Sequence, residues 1–297
     1  MKSEKIKKYS LSFFRTIFLT IILLLFLELI CRIGTYIYYS PNGSSFSNQG
    51  EICLCGSRIF VERSIYEKFK TAFVEEVKKF VYSVDEDFST YKEGSFVSRL
   101  RRGEISIDDC PADLKEVWNL CAVARDLTGG AFDPWAGAGG FDPSGYVKGW
   151  AADRVAQILL GAGCEQIQVN AAGDLTLRGG VVEKGVAGPW KIGVVNPDNR
   201  QEVLRIFEIT DGAIATSGTY ERGAHIFDPH TGTIAIGAKS ATVLGPDGGL
   251  TDALATALMV AGEDGAGWFA QPELAEYSAW VIDRHSGGAW GVGPAVL

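Results

Sequence analysis

The feature that most constrains this chain is a long apolar stretch close to its amino terminus. Residues 17–27 contain no charged side chain, and Phe13 and Phe14 extend the run at its start. Counted from there, it approaches the roughly 20 residues that an α-helix needs to cross a bilayer. Four lysines precede it, and positive charge favours the cytoplasmic side. We predict a single-pass membrane anchor at residues 11–30, with the rest of the chain extracytoplasmic.

A segment that lies on the membrane surface is the alternative interpretation of this stretch. A cleaved signal peptide is disfavoured, because residues 32–39 are bulky where a cleavage site needs small side chains. Residues 1–39 therefore form one N-terminal segment. Residues 40–50 are rich in Ser, Asn and Gly, which is typical of a linker. One domain is expected over residues 51–297.

Charge and cysteine spacing exclude some classes of protein. The net charge of −8 argues against a nucleic-acid partner, because phosphate binding needs an excess of Lys and Arg. Six cysteines are present, but no C-x-x-C pattern occurs, so a zinc site is not indicated. Lysines concentrate before Lys92, and Ala, Gly and Arg become frequent after it. The sequence alone provides no physical account of that shift.

Apolar spacing predicts an α+β fold, in which helices come first and many strands follow. In the second helix, Leu114, Val117, Cys121 and Ala124 share one face between Pro111 and the stop at Gly129. The helices are predicted at residues 65–80, 111–128, 147–160 and 252–260. Short strands are predicted at residues 166–170, 175–177, 190–195, 204–209, 224–227, 241–244 and 278–282.

The tripeptide Phe-Asp-Pro occurs three times, with its carboxylates at Asp133, Asp142 and Asp228. Proline holds the residue before it in an extended conformation, so each Asp is presented at a loop or strand edge. Two interpretations follow. Each Asp could form a local turn with its own backbone, or the carboxylates could belong to a site. The repetition in a glycine-rich chain favours a site.

A short segment before the third predicted helix has the composition of an anion-binding loop. Residues 142–149 combine small residues with Lys148, ahead of a helix N-terminus whose amides and dipole favour phosphate. Gly145 would leave its carbonyl open to a cation. The alternative is an ordinary loop with a solvated lysine.

Polar residues concentrate in two further segments. Thr216 and Ser217 precede His225 and Asp228, and two of the chain's three histidines lie in this stretch. Asp252 and Thr256 are four residues apart, so they share one helix face and offer oxygen ligands suited to Mg²⁺. A helix-capping role for Thr251 and a dipole role for Asp252 would be compatible with that site.

Together these motifs resemble the ApbE family of FAD:protein FMN transferases, from about Phe88 to Ala261. The matching stretches are Ser89–Tyr91, Gly130–Pro134, Asp142–Gly149, Asn170–Asp174, Thr216–Gly218, His225–Gly232 and Asp252–Thr256. The resemblance implies an ApbE-like (T-fold-like) α+β domain. It also implies an enzyme that attaches FMN from FAD to a Thr or Ser hydroxyl of a partner flavoprotein and releases AMP.

The resemblance further implies roles for individual residues. Magnesium would be bound by Gly145, Asp252 and Thr256. His225 would act on the nucleophile, with Asp228 orienting it. FAD would be held by Tyr91, Ala131, Phe132, Asp133, Asp142 and Lys148, with Thr216 and Ser217 lining the same cleft.

Several positions depart from the family pattern. Pro143 and Ser144 replace a Leu-Gly pair, Arg101 replaces an Asn, and the usual start of the domain is replaced by Cys55-Gly56-Ser57. These changes bear on the metal loop and on the adenine side of the ligand. Two other functions remain open: hydrolysis of FAD to FMN and AMP, and a membrane-anchored flavin-binding protein without catalysis.

Overall fold

The computed structural model describes residues 76–183, 186–218 and 226–296. The predicted anchor, the linker and the first part of the predicted helix at 65–80 lie outside these ranges. Within them, no helix combines the length and the apolar character that crossing a bilayer requires.

Helices make up most of the described chain before residue 162. They are α1 (Lys78–Phe88), α2 (Phe96–Arg101), α3 (Ala112–Leu127) and α4 (Ser144–Gly161). The α1 helix contributes Phe80 and Phe88, whose rings lie 5.7 and 5.5 Å from the ring of Trp150 on α4. This aromatic contact joins the earliest described helix to the helix that carries Lys148.

The second half of the described chain is dominated by one six-stranded antiparallel sheet in the order β1-β2-β7-β8-β9-β10. Two hairpins, β3–β4 and β5–β6, form separate two-stranded sheets. The strands are β1 (Ile167–Ala171), β2 (Asp174–Arg178), β3 (Val181–Glu183), β4 (Val186–Gly188), β5 (Trp190–Asn196), β6 (Asn199–Ile209), β7 (Gly212–Gly218), β8 (Ala238–Gly245), β9 (Ser278–Asp283) and β10 (Ala289–Val292).

A fifth helix, α5 (Gly248–Ala261), lies between the sheet and the other helices. Ten of its 14 residues are buried, because its apolar residues face two layers at once. Leu254 and Leu258 pack in a core with sheet residues such as Val243 and Val281. Ala253 and Ala257 pack against α3 and α4 in another core. The α5 helix is therefore packed on two sides, by the sheet and by the other helices.

The mixed α+β class is confirmed, and α3 agrees with the prediction in detail. Leu114, Val117, Cys121 and Ala124 are all buried. The strand β7 was not predicted, because its polar residues Thr216 and Ser217 were interpreted as part of a site and not as part of a strand. Among the described residues of the predicted strand at 224–227, Phe227 forms an isolated bridge with Ile234.

Two helix starts were predicted too late, and both matter for the site. The α4 helix begins at Ser144, so Gly145 and Lys148 lie in its first turns and not in a preceding loop. The α5 helix begins at Gly248 because the Asp247 carboxylate accepts the Leu250 amide at 2.7 Å. The expected cap, Thr251, instead donates its hydroxyl to the Asp247 carbonyl at 2.5 Å.

Candidate functional site

The Lys148 ammonium lies between two buried carboxylates that come from different elements. Its Nζ is 2.6 Å from Asp252 Oδ2 on α5 and 3.3 Å from Asp174 Oδ2 at the start of β2. Only 3% of the Asp252 side chain and 7% of the Asp174 side chain are exposed, against 29% for Lys148. We call these three residues the charge cluster. It is reached from solvent by way of Lys148.

The two helices that carry the cluster approach each other closely through glycines. A methyl group at Gly149 would lie 1.9 Å from the carbonyl oxygen of Gly248, so neither helix has room for a side chain at the crossing. The buried Asp153 carboxylate fixes the same crossing. It accepts the Gly248 amide at 2.6 Å and the Thr176 hydroxyl at 2.7 Å. These contacts tie α4, α5 and β2 together beside the charge cluster.

Burial and charge shift the ionisation of the cluster in opposing ways. Burial and the nearby charge of Asp252 together raise the pKa of Asp174 to about 7, although the Lys148 ammonium acts to lower it. For Lys148, burial lowers the pKa, but the two carboxylates outweigh it and raise the pKa above its ordinary value. Lys148 therefore stays protonated at neutral pH.

Thr256 lies one turn beyond Asp252 on α5, and its hydroxyl faces β7 and α4. Its Oγ1 is 3.5 Å from the Ser217 hydroxyl. A methyl group at Gly145 would lie 3.2 Å both from Thr256 Oγ1 and from the Phe132 ring. The structure thus brings Gly145, Ser217 and Thr256 together beside the buried Phe132.

This donor set fits a magnesium ion better than a metal that needs several protein ligands. Within the described residues, no group of three or more His, Cys, Asp or Glu side chains could hold a metal ion. Mg²⁺ commonly takes one or two carboxylates and completes its shell with waters and phosphate oxygens. Asp252 and Thr256 meet that requirement. The Gly145 carbonyl lies inside α4, so only its second lone pair is left for a cation.

Each Phe-Asp-Pro carboxylate closes a local turn. In all three, Oδ1 accepts the backbone amide two residues further on, at 2.9 Å for Asp133, 3.1 Å for Asp142 and 2.8 Å for Asp228. Oδ2 is engaged as well: it contacts a guanidinium in the first two cases and a threonine hydroxyl in the third. The guanidinium and hydroxyl partners are Arg125, Arg101 and Thr231. The turn interpretation therefore describes all three.

The remaining predicted residues are placed as follows. Ala131 and Phe132 are buried, and the preceding Gly130 packs against the ring of His230, so the turn around Asp228 lies beside this motif. The Thr216 hydroxyl is 2.9 Å from that of Thr242. Tyr91 lies on the turn between α1 and α2 and is largely exposed. His225 is outside the described residues.

Two residues of this region were given no site role from the sequence. Asp174 belongs to the quoted Asn170–Asp174 motif, but its partner Lys148 is far away in the chain. Arg101, noted only as a departure, donates to the Gly139 carbonyl at 2.7 Å and contacts Asp142 at 3.6 Å. The position of Asp174, at the end of the Asn170–Asp174 motif and directly before the predicted strand at 175–177, was the signal that could have identified it.

The ApbE family model matches residues 138–280. The chain is 40% identical over 133 residues to FAD:protein FMN transferase of Vibrio cholerae serotype O1, covering 41% of this chain and 39% of that protein. The family resemblance inferred from the motifs is confirmed.

The fold agrees with the same family over a longer range. The chain is similar to the solved structure of flavin transferase ApbE from Vibrio cholerae, with a TM-score of 0.64 and 26% identity. That similarity covers 78% of this chain and 89% of the solved chain. In sequence, however, the chain spans only 39% of the length of the curated Vibrio cholerae transferase.

A different family matches the earlier part of the chain. The aldehyde dehydrogenase model matches residues 41–105. The chain is 55% identical over 56 residues to 2-aminomuconic semialdehyde dehydrogenase of Danio rerio, which covers 19% of this chain and 11% of that enzyme. This range contains Cys55-Gly56-Ser57 and four of the eight lysines that precede Lys92. So small a share of a dehydrogenase does not support dehydrogenase activity.

Proposed function

We propose that this protein is a magnesium-dependent FAD:protein FMN transferase. The observation that carries the proposal is the pair formed by Lys148 and Asp252 on facing helices, with Thr256 one turn away. A cation ligand and a phosphate-binding ammonium are thereby adjacent in a segment of the ApbE family. Relatives of that segment are named FAD:protein FMN transferases.

The proposed reaction moves one phosphoryl group. The bond between the FMN phosphorus and the bridging oxygen of FAD breaks, and a bond forms from that phosphorus to a Thr or Ser hydroxyl of a partner flavoprotein. AMP leaves with the bonding electron pair. Bound Mg²⁺ would supply neutralisation of the phosphate charge, held by Asp252, Thr256 and the Gly145 carbonyl. His225 would accept the hydroxyl proton.

The other predicted residues would bind the flavin dinucleotide around this centre. Lys148 would face its phosphates. Thr216 and Ser217 lie on β7, where the Ser217 hydroxyl is 3.5 Å from that of Thr256. Phe132 lies against Gly145. Asp133, Asp142 and Asp228 would act by holding the turns that carry their neighbours. Tyr91 would contact the ligand from the turn between α1 and α2.

The test is a gel assay of covalent flavin. The protein is mixed with FAD, Mg²⁺ and a small FMN-binding domain that carries an acceptor threonine. Transfer gives a fluorescent acceptor band on a denaturing gel and an equal amount of AMP, and both disappear with chelator or with a Thr→Ala acceptor. Free FMN with AMP and no fluorescent acceptor band would show that the protein hydrolyses FAD and does not transfer FMN. FAD that stays bound and unchanged would indicate a non-catalytic flavin-binding protein.

We also propose that residues 11–30 anchor the protein in the cell membrane, with the catalytic part on the extracytoplasmic side. The support is the apolar run and its basic flank. Protease added to intact cells or spheroplasts should then degrade the part of the chain that follows residue 50. Full protection of that part, with cleavage only after lysis, would contradict this orientation.

A further inference from the structure

The charge cluster contains a conflict between its two proposed roles. Asp252 is the carboxylate expected to bind the cation, yet its Oδ2 contacts the Lys148 ammonium at 2.6 Å. A metal ion bound to this carboxylate would draw on the same negative charge that holds the ammonium, and it would also repel the ammonium. Lys148 must therefore lose at least part of this contact when a cation is bound, and a buried ammonium without a partner is costly.

Asp174 is placed to remove that cost. Its Oδ2 is 3.3 Å from Lys148 Nζ. The Ser144 carbonyl oxygen also contacts this ammonium, at 3.1 Å, but it carries no formal charge. Asp174 Oδ2 is buried and has no hydrogen-bond partner within the described part of the chain, so the contact with Lys148 is an ion pair without hydrogen-bond alignment. A small shift of the ammonium would complete a charged hydrogen bond to it.

We infer that Asp174 is a positioning residue that takes the Lys148 ammonium from Asp252 when the cation binds. This inference rests on the proposed function only in that it assumes a cation at Asp252. One ammonium and two carboxylates give the cluster a formal charge of −1, and a divalent cation changes it to +1. The occupied cluster then suits a phosphate group, and Lys148 remains held by Asp174 beside it.

If Asp174 had only a structural role, its replacement would change cation binding in a different way. Asp174 also begins β2, so its replacement could weaken cation binding by loosening the strand or by removing one negative charge. Either effect is the same whether or not Lys148 is present. The positioning role depends on Lys148, because only a lysine left without a partner keeps occupying Asp252. A double-mutant cycle between the two residues therefore separates these explanations.

The experiment measures Mn²⁺ affinity at pH 8 without flavin, by electron paramagnetic resonance of the free ion. The proteins are wild type, Asp174→Asn, Lys148→Met and the double variant. We expect Asp174→Asn to weaken Mn²⁺ binding about 30-fold in the wild-type background and about threefold in the Lys148→Met background. The tenfold difference, about 1.4 kcal/mol, is the coupling through Lys148. Asp264→Asn, at an exposed site, is the control and should leave Mn²⁺ binding unchanged.

Equal losses in the two backgrounds, no loss in either, or a wild type that does not bind Mn²⁺ would each overturn the inference. Thermal unfolding identifies a variant that fails to fold, in which case Asp174→Ser replaces Asp174→Asn in both backgrounds. The proposed function is judged separately by the gel assay. Coupled Mn²⁺ binding without FMN transfer would refute the transferase alone, and FMN transfer with equal losses would refute the role of Asp174 alone.

Discussion

The facing helices α4 and α5 and the turn at residues 226–232 both contain residues predicted to be catalytic or ligand-binding, but they are built in opposite ways. The helices place Lys148 and Asp252 together although they are 104 residues apart in sequence. In the turn, Asp228 contacts residues two and three positions away, and Phe227 is exposed. The geometry of the helix pair therefore depends on long-range packing, whereas the conformation around Asp228 is stabilised by hydrogen bonds within the turn. Substitutions should be far more harmful in the helices.

The largest effect is expected from Asp252→Ala. It removes the carboxylate that would bind the cation, while Lys148 keeps Asp174 as a partner, so the fold should persist. We expect FMN transfer to fall about a thousandfold, or about 4 kcal/mol of transition-state stabilisation. The gel assay measures it, with Asp264→Ala as the exposed control. Wild-type activity in Asp252→Ala would remove the helix pair from the chemistry.

The next effect concerns stability at the helix crossing. Gly149→Ala places a methyl group 1.9 Å from the Gly248 carbonyl oxygen, so the helices must separate. We expect the free energy of unfolding to fall by about 3 kcal/mol. The matched control is Gly161→Ala at the end of the same helix, where a methyl group meets nothing within 4 Å. That change should be neutral or raise the free energy of unfolding by up to about 1 kcal/mol.

Urea unfolding, followed by circular dichroism, compares the two variants with wild type. If Gly149→Ala and Gly161→Ala are equally stable, the crossing is not as close as described.

A smaller effect is expected from Thr256→Val, which keeps the shape of the side chain but removes its hydroxyl. We expect transfer at limiting Mg²⁺ to fall about tenfold, or about 1.4 kcal/mol, and to recover partly when Mg²⁺ is raised. Thr256→Ser restores the hydroxyl and should stay near wild type. A magnesium titration of the transfer rate checks both. The hydroxyl is not a ligand if Val and Ser behave alike.

The smallest effect is expected in the turn. Asp228 is slightly buried, which raises its pKa, but hydrogen bonds from the His230 amide and the Thr231 hydroxyl lower it overall. Asp228→Asn keeps the acceptor for the His230 amide, and the Thr231 hydroxyl can turn to accept from the new NH2 group, so transfer should change less than about threefold, under 1 kcal/mol. Asp283→Asn, in a similar turn on His285 and Ser286, is the matched control. A loss of a hundredfold confined to Asp228→Asn would restore a catalytic role for this carboxylate.

The sequence correctly predicted those features of the fold that depend on residues close together in the chain. The buried face of α3 followed from apolar spacing, and the shared face of Asp252 and Thr256 followed from helix geometry. The start of α5 was missed because the cap is Asp247, which lies before the apolar periodicity begins. The start of α4 was missed because Pro143 and Ser144 resemble loop residues, although proline is well tolerated at a helix start.

The charge cluster could be predicted only in part. Lys148 and Asp252 were each selected from their own segment and then by resemblance to the ApbE family, but nothing in the sequence shows that they form an ion pair. Asp174 joins them through the pairing of β2 with β7 and the packing of α4 on β2, which are long-range consequences of the fold. The three Asx-type turns show the converse. Repetition of Phe-Asp-Pro suggested a shared site, whereas in each motif the Asp Oδ1 accepts a backbone amide only two residues further on.

The contact of Phe80 and Phe88 with Trp150 joins two parts of the chain that resemble different families. Both phenylalanines lie in the range that resembles aldehyde dehydrogenases, and Trp150 lies in the range of the ApbE family. The border between the two resemblances therefore does not coincide with a border between independent folding units. A fragment cut at residue 106 would carry the whole ApbE match and still expose an indole that is 5% accessible in the longer chain. The part of the chain that is needed to bury Trp150 is therefore longer than the range that the ApbE family model matches.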